Sequence, residues 1–243
     1  MAVYLITGAT SDVGRALIDR ILGPEDLVIA QGMGDLHLLD DLSSTHPGQI
    51  ISYDLDLTDP AALDGFLAEI GEKYPLPTHF VHLPALRVVN AKFKNFDESR
   101  FLLDMNVQVM SAVKICKALL PRMAKAKFGR VLFIQTSYTI GAPPKNTAAY
   151  VMAKSAIGGL VKSLAVEYAR FGVTVNCVAP SMMETRFLTD TPDLVVQASA
   201  ADNPMGRNAR VKDVVPAMAF LLSEEARFIT GVTLPVTGGS AIE

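Results

Sequence analysis

The chain has 243 residues, half of them hydrophobic and 19% charged, with 22 basic and 25 acidic side chains leaving a formal charge of −3. With a mean hydropathy of +0.30, it can bury enough apolar surface to offset its ordering entropy, which excludes intrinsic disorder, and near-neutrality argues against a nucleic-acid surface. No apolar run reaches the roughly 20 residues of a membrane-spanning helix, and the opening MAVYLITGATS lacks the basic flank of a signal peptide. A cytoplasmic protein of one domain is the expectation.

A short apolar run, VYLIT at 3–7, leads through Gly8 into a helical pattern at Val13, Ala16, Leu17 and Leu22 that Gly23-Pro24 closes. The alternation repeats along the chain. LVIA (27–30) precedes a helix around 36–43, IISYDLDL (50–57) a helix over 60–70, and THFVHL (78–83) a long helix over about 97–124. RVLFIQTS (130–137) precedes a helix over about 148–170, VTVNCVA (173–179) a helix over about 211–222, and VTLPV (232–236) ends the series. Seven strands that read as unbroken Val/Ile/Leu runs between helices predict an α/β fold with a doubly wound parallel sheet and helices on both faces. In such a fold the ligand site lies at the carboxyl ends of the strands. No repeat or linker interrupts the series, so residues 1–243 read as one domain, and the irregular stretch at about 180–208 reads as a lid.

Cys116 and Cys177 have no partners at metal-ligand spacing, and His37, His46, His79 and His82 form no HExxH or HxH pattern, so no metal site is expected. The charge is unevenly spread: from Ile21 to Glu72 there are 11 acidic residues and no Lys or Arg.

Two motifs carry chemistry. Thr7-Gly8-Ala9-Thr10-Ser11-Asp12-Val13-Gly14 is a glycine-bearing turn between strand and helix, where free N–H groups and the positive end of the helix dipole suit a dinucleotide pyrophosphate. Tyr150 and Lys154 are four residues apart, on one helix face, so a phenol and an ammonium can sit side by side.

With Asp56-Leu57-Thr58 after the third strand, Asn106 in the long helix, Ser137 at the end of a strand, Val175 to Pro180 with Thr185, and the tail from Asn203-Pro204-Met205-Gly206-Arg207 through Val236-Thr237-Gly238-Gly239, these motifs resemble the short-chain dehydrogenase/reductase family over essentially the whole chain. The pattern is most similar to the 3-oxoacyl-(acyl-carrier-protein) reductase branch and its ketoreductase relatives. The resemblance implies a Rossmann-like fold and an NADPH or NADH cofactor held by Gly8, Thr10, Ser11, Asp12, Val13, Gly14, Asp56, Leu57, Tyr150, Lys154, Pro180 and Thr185. It implies that Tyr150 donates the proton while hydride reaches a ketone carbon, that Lys154 bonds the nicotinamide ribose, that Ser137 binds the substrate carbonyl, and that Asn106 holds a water in the proton path. It also implies a small-molecule or carrier-bound ketone substrate, such as a β-ketoacyl group on acyl-carrier protein or coenzyme A, and a homo-oligomer, tetramer or dimer. A secondary-alcohol dehydrogenase and a weakly or non-catalytic family member acting as a structural or nucleotide-sensing subunit are the alternatives.

The sequence departs from the family pattern in three places. Asp12 stands where a third glycine is usual, and its carboxylate either faces the pyrophosphate or caps the first helix. His82-Leu83-Pro84-Ala85 replaces Asn-Asn-Ala-Gly, with His82 expected to be a structural hydrogen-bonding residue. Neither Ser11 nor Gln31-Gly32-Met33-Gly34 supplies a cation for a 2′-phosphate, and Asp35 comes slightly late for the ribose diol. Lys125, Lys127 and Arg130 form a basic cluster that could meet an acidic carrier.

Overall fold

A computed structural model describes residues 1–242. Seven strands, β1 (Val3–Thr7), β2 (Leu27–Gly32), β3 (Ile50–Asp54), β4 (His79–His82), β5 (Gly129–Ile134), β6 (Val173–Pro180) and β7 (Thr233–Val236), form one sheet in the order β3-β2-β1-β4-β5-β6-β7. Every neighbouring pair is parallel. The order reverses between β1 and β4, so a crevice opens at the carboxyl ends of these two strands.

Apolar runs become strands here because both faces are covered. Along β1, Val3 and Leu5 join one buried cluster while Tyr4 and Ile6 join the other, as a period of two requires. The first cluster packs under α3 (Pro60–Lys73), α5 (Ser111–Ala126) and α6 (Ala148–Tyr168); the second packs under α1 (Asp12–Ile21) and α8 (Val211–Leu222). Helix α2 (Asp40–Thr45) is short, and α7 (Asp193–Asp202) lies in the segment between β6 and α8.

Caps fix the helix starts. At α3, Asp59 Oδ1 accepts from the N–H groups of Ala61 and Ala62, and Pro60 occupies the first turn. At α1 the cap is Ser11, whose hydroxyl accepts from Gly14 N at 3.0 Å. Asp12, one of whose two expected orientations was capping, is already the first helical residue.

The helix expected over 97–124 is not continuous. Helix α4 (Glu98–Met105) passes through a π-turn at Asn106–Met110 before α5 begins, with Ser111 N–H donating to Asn106 O. A π-turn inserts a residue and resets the helix phase, a feature common at functional sites.

By length and composition, Ala148–Phe171 is apolar enough to cross a membrane. In the fold it covers the sheet, with Ala153, Ile157, Gly158, Val161 and Ala165 buried beneath it.

Candidate active site

A cavity of about 450 Å³ opens at the carboxyl ends of β1, β4, β5 and β6. Gly8, Thr10, Ser11, Asp12 and Val13 line one end; Tyr150 and Lys154 line it farther along, with Pro180 and Thr185 also in its wall. The glycine turn is tightly built: a Cβ at Gly14 would stand 2.6 Å from Ala9 O, so only glycine lets the helix start this close beneath the loop. Gly14 thus supports the loop from below, outside the cavity lining. Asp56 and Leu57 also lie outside the lining; Asp56 is exposed, and its carboxylate accepts from Thr58 N and Oγ1.

Asp12 takes neither orientation expected of it. Its Oδ1 accepts from Arg186 Nε at 2.8 Å and from Arg15 Nη2 at 2.9 Å, while its Oδ2 accepts from Arg186 N at 2.8 Å. Arg186 also donates through Nη2 to Thr10 O. Burial disfavours the Asp12 carboxylate, but these bonds outweigh it and hold the carboxyl below the usual range. A second tie joins Arg87, in the loop after β4, to Asp190. The segment after β6 is therefore fastened to two loops that frame the cavity.

Lys154 is buried and donates from Nζ to Ile134 O at 3.0 Å. Its Nζ lies 6.0 Å from the centroid of the Tyr150 ring, and the Tyr138 ring packs edge-on against Tyr150. Burial pushes Lys154 down to about 8, against the opposing pull of Asp104 and Cys177. Burial also raises Tyr150, Thr136 works to lower it, and Tyr138 and Asp104 add to the rise. In the resting site the phenol is thus held as the neutral acid.

Ser137 and Asn106 are not in this group. Thr136, rather than Ser137, lines the cavity and faces the Tyr150 hydroxyl; Ser137 is buried in a short turn where its carbonyl accepts from Ile140 N. Asn106 is exposed. The inward positions of this helix belong to Asp104 and Gln108, whose side chains bond each other, Gln108 Nε2 to Asp104 Oδ1 at 2.6 Å. Residues two apart on a helix lie about 200° around its axis, so Asn106 faces away when 104 and 108 face in. Gln108 and Asp104 lie four and eight positions before the buried Ala112, with the π-turn between α4 and α5 on that path.

His82 joins these elements. Its Nε2 meets Gln108 O at 3.0 Å and its Nδ1 meets Thr7 Oγ1 at 2.7 Å. Since a carbonyl only accepts, Nε2 carries the proton and Nδ1 accepts from Thr7. Burial pushes the ring down to about 3. His82 therefore ties the end of β1 to the π-turn, and Leu83, Pro84 and Ala85 follow it along the cavity wall.

A family model described as enoyl-(acyl carrier protein) reductase matches residues 26–241. The chain belongs to the short-chain dehydrogenase/reductase family. It is similar to the 3-oxoacyl-[acyl-carrier-protein] reductase FabG of Haemophilus influenzae, 30% identical over 237 residues that cover 98% of this chain and 97% of that protein. It is also similar in structure to ElxO with NADP bound (TM-score 0.87, 25% identity, 98% of each chain covered). The 3-ketoacyl-(acyl-carrier-protein) reductase from Brucella melitensis complexed with NADH shares the fold (TM-score 0.88, 24% identity, 99% and 98% covered). This family member is an oxidoreductase, and its cofactor is NAD(P).

The residues present fit that cofactor. Among the described residues no acceptor faces the N–H groups of Asp12 and Val13, at the start of α1, which suit a pyrophosphate. Beyond β2, Asp35 Oδ1 is buried without a hydrogen-bond partner, and a Cβ at Gly32 would stand 3.1 Å from it. The backbone brings the Asp35 carboxylate, expected slightly late in the sequence, back against the end of β2 and into the cavity lining.

The basic cluster is placed elsewhere. Arg130 is buried at the amino-terminal end of β5, paired with Glu224 at 3.0 Å, and the cavity opens at the strand's other end. Lys125 and Lys127 precede it on the same side, so the cluster does not border the cavity mouth.

Proposed function

We propose that this family member is an NADH-dependent ketoreductase acting on a β-ketoacyl thioester, with Tyr150 as the proton donor. The observation that carries the reading is the meeting of Tyr150, Lys154 and Thr136 in one cavity with the glycine loop. The reduced nicotinamide supplies the hydride. Tyr150 Oη gives its proton to the carbonyl oxygen as negative charge develops there, a step a positioned acid accelerates by about 10²–10⁴. Thr136, beside the phenol, supplies the substrate-orienting hydroxyl in place of Ser137. Lys154, with one of its three N–H donors spent on Ile134 O, has the others free for a ribose diol and sets a positive charge near the phenolate that forms.

NADH is favoured over NADPH by Asp35. An unpartnered carboxylate accepts from the hydroxyls of a ribose diol and repels a 2′-phosphate, and the stretch from Ile21 to Glu72 offers no Lys or Arg to offset that repulsion. An acyl substrate is favoured by the walls near Tyr150, where Val88, Tyr138, Met183, Phe187, Leu188 and Val195 are apolar or aromatic. The segment over 180–208, fastened through Arg186 and Arg87, serves as the lid. Calorimetric titration with NADH and NADPH, followed by assay of cofactor oxidation against a panel of β-ketoacyl thioesters, tests the reading; failure to bind either cofactor refutes it.

A further inference from the structure

The lid is held over the cavity by polar ties rather than by a core of its own. None of residues 184–202 is buried, and none of their apolar side chains joins either buried cluster; Phe187, Leu188 and Val195 line the cavity instead. The two ends of the segment are fixed. At its start Glu184 N donates to Ala209 O and Ala209 N to Met182 O, both at 3.0 Å. At its end Asn203, 7% exposed, donates from Nδ2 to Thr237 O at 2.9 Å. Between these ends, among the described residues, hydrogen bonds join the segment to the rest of the chain at three points: Arg186 bonds Asp12 and Thr10 O, Asp190 bonds Arg87, and Val196 O accepts from the buried Asn208 Nδ2. A segment without buried apolar contacts, held by a few exposed bonds, opens far more readily than the core it covers.

We propose that Asp12 and Arg186 are the latch of a gate: the lid swings on its two fixed ends, and breaking this pair admits and releases the dinucleotide, so the latch sets the rate of cofactor exchange and not the affinity. Asp12 and Arg186 both line the cavity, and the arginine reaches the glycine loop through its Nε, its Nη2 and its own backbone N–H, which closes the pyrophosphate end. The latch is made wholly of protein atoms and forms alike with and without the dinucleotide. A contact equal in two states does not shift the balance between them, but one that keeps the lid shut in both slows entry and exit together. A glycine at position 12 has no side chain to accept from Arg186, so the latch belongs to this chain and not to the family pattern. The pair is partly exposed, 48% at the arginine and 20% at the aspartate, so salt loosens it.

The exchange of cofactor rests on the NAD(P) reading of the site; the latch itself does not. Asp12→Gly tests both. In hydrogen exchange of the full chain, read by mass spectrometry, the amides of 186–196 should exchange about fivefold faster or more than in the wild type, with β6 unchanged. In stopped-flow binding of NADH, the association and dissociation rate constants should both rise about fivefold or more while their ratio changes less than about threefold. Removing a carboxylate charge alone would speed association and slow dissociation, so a rise in both is the mark of a gate. Raising salt from about 0.05 M to about 0.5 M should speed dissociation more in the wild type than in Asp12→Gly. Unchanged exchange over 186–196 overturns the proposal, and so does faster dissociation with unaltered association, which would make the pair an affinity contact. Should neither NADH nor NADPH bind, the cofactor reading fails while hydrogen exchange still decides the latch. If Asp12→Gly does not fold, Arg186→Met breaks the pair from the other side, and equal exchange over 186–196 in that variant and the wild type overturns the proposal.

Discussion

Arg186 grips Asp12 with two groups at once, its Nε on one carboxylate oxygen and its backbone N–H on the other, each at 2.8 Å. The pair is nearly half exposed on the arginine side, so the bond itself contributes no more than about 1 kcal/mol to stability. Its larger effect is on the cofactor. An unpaired carboxylate about 5 Å from a pyrophosphate charge costs on the order of 3 kcal/mol at an effective dielectric of 20; paired with Arg186 and Arg15, Asp12 presents much less net charge. Asp12→Gly should therefore change the cofactor dissociation constant less than about threefold, whereas Arg186→Met should weaken it by about tenfold or more, and Asp12→Asn should restore most of that loss. Titration calorimetry on the three variants checks this, and a strong tightening in Asp12→Gly would show that the carboxylate acts on the pyrophosphate after all.

The Asp35 carboxylate predicts a switch in cofactor preference. Removing its charge with Asp35→Asn should weaken NADH by about fivefold to tenfold and leave NADPH unchanged or tighter, because a neutral hydrogen bond worth about 0.5–1.5 kcal/mol replaces a charged one worth about 1.5–3 kcal/mol. The readout is the ratio of the two dissociation constants. An unchanged ratio would remove Asp35 from the ribose site.

Two buried histidines predict an acid-sensitive fold. Burial pushes His79 down to about 4 and His82 to about 3, while in the unfolded chain both titrate near 6.5. Below pH 6.5 the unfolded chain takes up protons that the folded chain refuses, so stability is fully present above that pH and is lost as the pH falls toward 4. The slope approaches at most about 1.4 kcal/mol per pH unit for each histidine. His79 stacks on Tyr4 at 4.4 Å and meets Phe128 edge-on, so His79→Phe should fold and show a shallower slope between pH 6 and pH 4.5. Urea unfolding across that range measures it, and an unaltered slope would assign the acid sensitivity elsewhere.

The seven-stranded parallel sheet was legible in the sequence because strands buried on both faces read as unbroken apolar runs and the helices between them carry a clear period. The glycine turn and the Tyr150/Lys154 pair were legible because each is a local pattern within one turn or one helix. Ser137 and Asn106 took their roles from the family resemblance rather than from a local pattern, and both lie outside the cavity lining. The loop Gly141–Asn146 lies between Ser137 and Tyr150, and the π-turn at Asn106–Met110 shifts the helix by one residue. The Asp12–Arg186 pair spans 174 positions, and nothing local in the sequence announces it.

The most direct test of the account is the oxidation of NADH and NADPH by β-ketoacyl thioesters, measured for the wild type and for Tyr150→Phe. Phenylalanine keeps the ring against Tyr138 and removes only the acid, so folding should be unchanged. NADH should be used at least about tenfold more efficiently than NADPH, and Tyr150→Phe should lower kcat by about 10²–10⁴ with little change in cofactor affinity. Near-native turnover in Tyr150→Phe, or a wild-type chain that binds NADH and reduces no carbonyl substrate, would contradict it.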